Sequence, residues 1–156
     1  MTLAEMEHAV DALIERLLAE LQEFNAEQHA GMTSGMIEDI QDMRNCSLSH
    51  LYAAGAKLGV RLVFSPARDG KWYAYCGSMR EAEKSMVFLY LNRKEALETK
   101  AEQMAYRESF EAVGGNEYYF TSWLTKKMTP TSLAFFKLCV FLDVPVEWRP
   151  VPREGA

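Results

Sequence analysis

The chain has 156 residues, of which 49% are hydrophobic and 25% charged, with a formal net charge of -5. This is ordinary globular composition, sufficient for one or two small cores and unlike that of disordered or collagen-like chains. The longest apolar run, residues 133–142, is interrupted by Lys137 and is too short to span a bilayer, and no basic start followed by an apolar block opens the chain, so neither a membrane span nor a secretory leader is expected and the cytoplasm is the expected compartment.

In chain order, Leu3, Met6, Val10, Leu13, Ile14, Leu17, Leu18, Leu21 and Phe24 recur at three- and four-residue steps, which predicts an amphipathic helix with Thr2 as its cap. Glycines 31 and 35 punctuate the chain before a short predicted helix at 34–43, with Met36, Ile37 and Ile40 as its inward set. Asn45 or Ser47 caps a further helix at 48–58, and Gly59 ends it where a left-handed residue is wanted. Residues 60–64 alternate like a strand, Asp69-Gly70 is a hairpin signal, and 71–76 and 86–91 are the second and third predicted strands. Asn92 is the expected cap of a long helix to about Val113, ended by Gly114-Gly115. A short helix is expected over 116–124, although Tyr118, Tyr119 and Phe120 favour strand by propensity. Thr129-Pro130 then starts a last helix to about Leu142, with Thr129 as cap and Pro130 in its first turn, and residues 144–151 leave as an extended tail.

The expected fold is therefore α+β and mostly helical: two helical units joined by a small three-stranded antiparallel sheet. Its parts are an acidic helical unit (1–59), a sheet segment (60–92), a second helical unit (93–150) and a tail (151–156).

Charge separates these parts. Residues 1–45 carry ten acids against Arg16 and Arg44, whereas the remainder is weakly basic. An acidic first third repels phosphate and suits a basic protein partner or a solvated face. Cys46, Cys76 and Cys139 have neither metal nor redox spacing and read as small buried hydrophobes; His8, His29 and His50 are scattered. No Ser–His–acid set, phosphate-cradling glycine loop or metal motif is present, so neither an enzyme, a cofactor nor a metal site is expected.

From Tyr106 to Trp148 the order of features resembles, without a gap, the lambda-repressor-like (Cro-type) helix-turn-helix family. Gly114 resembles the turn glycine, Asn116 the cap, and Phe120 and Trp123 the buried pair. Pro130 resembles the opener of the fourth helix, and Leu142-Asp143-Val144 its ending. Phe110 stands where the family has a small residue, and Asp143 where it has glycine. Gly31-Met32-Thr33 with Met36, Ile37 and Ile40 resembles a degenerate first copy, and the run from Ser47 through Leu58-Gly59-Val60 echoes the run from Ser132, as an internal duplication would.

The resemblance implies a small DNA-binding transcriptional regulator of repressor or antitoxin type, with Asn116, Glu117, Tyr118, Thr121, Ser122, Thr125, Lys126 and Lys127 facing DNA. No Arg or Gln in that segment reads a base bidentately, and the first copy presents Glu38, Asp39 and Asp42 instead. The alternative is an acidic protein-binding inhibitor (an antitoxin, an immunity protein or a phage-type anti-defence protein) on a helix-turn-helix-derived scaffold without DNA binding. Leu133, Phe136 and Val140 give the last helix a second apolar set, which predicts a homodimer or partner interface, or cover from the three-stranded sheet.

Overall fold

A computed structural model describes residues 1–28, 46–64, 79–125 and 127–150. The predicted helix at 34–43, the predicted strand at 71–76, Lys126 and the tail at 151–156 lie outside the described residues.

Helix α1 spans Leu3–Gln28. Thr2 caps it reciprocally: the Glu5 amide donates to Thr2 Oγ1 at 3.1 Å, and the Thr2 amide donates to Glu5 Oε1 at 3.3 Å. These bonds satisfy amides that the first helical turn leaves without partners. Met6, Val10, Ile14, Leu17 and Leu21 form its buried stripe. That stripe lies against the last helix and the last strand.

Helix α2, Leu48–Lys57, leads through Gly59 at φ 72° into strand β1, Val60–Phe64. Helix α3 spans Met79–Glu95 and helix α4 Lys100–Ala112. A turn of 3-10 helix at Glu117–Tyr119 leads into helix α5, Phe120–Leu124, which is followed by helix α6, Ser132–Phe141, and strand β2, Val146–Pro150. One hydrophobic cluster runs from Met6 to Trp148 and draws on α1–α6 and both strands.

The architecture is mostly helical with a small antiparallel sheet, and it differs from expectation at four places. Residues 86–91 are helix, not strand: Glu83, Met86, Val87 and Tyr90 are buried at a helical period within α3, while Phe88 is exposed. Good helix formers on both sides extend that period over the apolar run, and period prevails over local strand propensity. The described sheet has two strands, not three. β1 pairs antiparallel with β2, part of the expected tail, in a register that sets Leu62 opposite Trp148 and Val63 opposite Glu147.

Asn92 lies inside α3 and caps nothing. The long predicted helix is two helices, and the second starts at Thr99, whose side chain accepts the Glu102 amide at 3.1 Å. The cap of α6 is Thr131 rather than Thr129, accepting the Ala134 amide at 3.2 Å. Pro130 precedes that cap, and its carbonyl accepts the Leu48 amide at 3.1 Å. In exchange, the Ser132 amide donates to the Cys46 carbonyl at 3.0 Å, so Ser47 and Thr131, the residues that open α2 and α6, form an antiparallel bridge.

The sheet and the helices lock around Trp148. Its indole donates to the Leu17 carbonyl at 3.1 Å. Its ring lies over Gly55 of α2, where a Cβ would meet it at 2.5 Å. Arg16 donates to the Val146 carbonyl, and Arg93 to the Leu142 carbonyl at the C-terminal end of α6, where a cation is favoured.

Candidate nucleic-acid interface

The segment from Phe110 to Lys127 is built around a sharp helix ending. The Gly114 amide donates to the Glu111 carbonyl at 3.0 Å and the Gly115 amide to the Phe110 carbonyl at 2.9 Å. This pair of bonds turns the chain out of α4, and it needs the left-handed backbone that Gly114 adopts at φ 90°. Gly115 serves a different purpose, because a Cβ there would fall 2.3 Å from the Phe110 ring.

Phe110 in turn stacks among Tyr90, Phe120 and Phe141, with centroids 4.9–5.8 Å away. The large residue at 110 is thus accommodated by the absence of a side chain at 115.

Asn116 then restarts the helix. Its side-chain oxygen accepts the Tyr118 amide at 2.9 Å, and Phe120 and Trp123 turn inward, each 4% exposed. Asn116, Tyr118, Tyr119, Thr121, Thr125 and Lys127 are exposed, Tyr118 to 78%, and Ser122 is half-buried. Thr125 Oγ1 donates back to the Thr121 carbonyl at 2.8 Å, which occupies its proton and leaves its oxygen to accept. Of the eight residues expected to face DNA, six are therefore exposed or half-buried, as is Tyr119. Lys126 lies outside the described residues, and Glu117 is placed differently.

Glu117 points back into the protein. Its carboxylate accepts two bonds from Lys94 Nζ at 3.0 and 3.1 Å and one from the Tyr90 hydroxyl at 2.9 Å, with Arg107 Nε at 3.7 Å. Burial pushes the carboxyl up, but the bonds from Lys94 and Tyr90 and the charges of Lys94 and Arg107 outweigh burial and hold it below its ordinary 4.5. Burial, the bond to Glu117 and its charge together push the Tyr90 hydroxyl far above its ordinary value, so Tyr90 stays a donor. Glu117 is the only acid between 116 and 127, so this network draws that segment's one negative side chain inward. Sequence reasoning missed the network because Lys94 and Tyr90 lie on a segment read partly as strand.

The expected interface residues on α6 divide. Phe136 is fully buried within its own chain and is therefore not an outward contact. The helix packs against α1, α2 and α3, so it needs a broad apolar surface for its own core. Leu133 and Val140 are half-buried and pack against that core.

Among the described residues, no group of three or more His, Cys, Asp or Glu is placed to hold a metal ion, and no helix is long and apolar enough to cross a membrane. Cys139 is fully buried, and burial pushes its thiol well above the ordinary range. The chain matches no protein-family model, no curated protein and no solved structure.

Proposed function

We propose that the chain is a small DNA-binding regulator of repressor or antitoxin type that lays the face bearing Asn116, Tyr118, Thr121, Ser122, Thr125 and Lys127 against a duplex. The observation that carries this reading is the withdrawal of Glu117 into the Lys94–Tyr90–Arg107 network, which leaves an outward surface of hydroxyls, an amide and a lysine. Such a surface suits phosphate and sugar contacts more than base readout. The Cro-type resemblance is supported by the turn at Gly114, the cap at Asn116 and the inward pair Phe120 and Trp123. At the end of α6, Asp143 takes the left-handed backbone, φ 56°, expected of a glycine.

The test is fluorescence-anisotropy titration against DNA fragments from upstream of the chain's own gene, at low and moderate salt. Salt-dependent binding is expected, and Lys127→Ala should reduce the slope of log affinity against log salt by about 1. No binding even at low salt would end the DNA reading.

The second reading is an acidic protein-binding inhibitor, favoured by the exposure of Glu5, Glu7, Glu15 and Glu23 on α1. In that case a basic protein co-purifies with the native chain and is lost on the double reversal Glu15→Lys, Glu23→Lys. A partner retained unchanged by that double reversal would count against it.

A further inference from the structure

The bridge and the sheet have the same internal spacing. Ser47 bridges Thr131, and Val63 faces Glu147 in the register, so that both pairs join residues 84 positions apart. The hydrogen bonds obey the same spacing: Leu48 donates to Pro130 and, 84 residues on, Ser132 donates to Cys46. An antiparallel pair has a local two-fold axis between its strands. Here both pairings exchange positions of one half for the positions 84 residues on in the other.

The elements on either side of the seam correspond. α2 and α6 each follow a bridged residue, end at a left-handed residue (Gly59 and Asp143) and lead into the strands that pair. Leu51 and Phe135, Ala54 and Leu138, Leu58 and Leu142, and Val60 and Val144 are buried at equivalent positions. Leu58 and Leu142 close their helices by equivalent bonds, to Ala54 and Leu138, and Gly59 and Asp143 by bonds to Ala56 and Val140.

We propose that this seam, the Ser47–Thr131 bridge together with the β1–β2 pair, is a self-complementary dimer interface contained within one chain. Each half finds in the other what would otherwise be supplied by a second copy, and the working species is a single chain. The proposal stands independently of what the chain binds.

The test is cross-linking of the seam in the full chain. In a two-fold bridge flanked by reciprocal hydrogen bonds, the paired Cα atoms lie about 4.5 Å apart, within disulfide reach. Ser47→Cys with Thr131→Cys, in a chain where Cys46 and Cys76 are replaced by serine, should oxidise in air to an intrachain disulfide. The product should keep the mass of one chain by sedimentation equilibrium from micromolar to near-millimolar concentration. Arg61→Cys with Arg149→Cys, register partners in the sheet, is the second pair, should the first disturb the caps. A disulfide-linked two-chain product would overturn the proposal, because the seam would then form between copies. A two-chain mass without cross-linking, or failure of both pairs to oxidise in a folded chain, would overturn it equally.

Discussion

The ring of Phe110 occupies the space that a side chain on residue 115 would need. A Cβ on Gly115 would approach three of its ring atoms to 2.3–2.4 Å. The ring is 2% exposed and wedged against Tyr90 and Phe141, so it has little room to retreat. Gly115→Ala is therefore expected to destabilise the fold by about 1–3 kcal/mol, the usual range for overpacking. Combining it with Phe110→Leu should cost less than the sum of the two single changes, since the pair shares one volume. Urea denaturation of the four chains measures this.

Glu117 makes part of the stability depend on pH. Its carboxyl titrates below 4.5 when folded, so its contribution is fully present above that ordinary value. The contribution is lost as pH falls through the depressed folded value. Glu117→Gln should therefore cost about 1–2 kcal/mol near neutrality, from the loss of charged hydrogen bonds. It should also flatten the decline in stability below pH 4.5. Urea midpoints from pH 7 down to pH 3 for both chains provide the comparison, and parallel curves would show that the network does not act through Glu117.

Asp143 offers a stabilising change. It adopts φ 56°, while its amide donates to the Val140 carbonyl and the Val144 amide donates to Cys139. A side chain in this region is strained, and glycine is not. Asp143→Gly is expected to raise stability by a few tenths of a kcal/mol to about 1 kcal/mol, and Asp143→Ala to lower it. Thermal unfolding midpoints would rank the three chains.

Tyr118 should separate binding from folding. It is 78% exposed, so Tyr118→Ala should change stability by less than about 0.5 kcal/mol. On the DNA reading, the same substitution weakens duplex binding severalfold in the anisotropy titration. Unchanged affinity would move the contact surface away from this face.

The parts of the fold legible in the sequence were those specified by neighbours. Thr2 with Glu5, Gly59, Gly114 and Asn116 act within four residues of themselves, and a local rule suffices to place each of them. The run at 86–91 was misread because six apolar residues fit either period. Only the wider stripe through Glu83 and Tyr90 decides in favour of helix. The partner of β1 was not legible at all, since no local signal links Leu62 to Trp148. The outward face at 116–127 was readable from the cap and the buried aromatic pair. The inward turn of Glu117 was not, because Tyr90 and Lys94 reach it from 27 and 23 residues away.

Pairing of β1 with β2 also governs how the chain is made. Residues 60–64 leave the ribosome long before residues 146–150, so the first strand must wait for this partner while the residues between the two strands are synthesised. Contacts so far apart in sequence form late and slow folding, and an unpaired strand edge is a site where nascent chains stick to one another. Truncation ahead of residue 146 would leave that edge without its mate, and the shortened product is expected to aggregate or to be degraded.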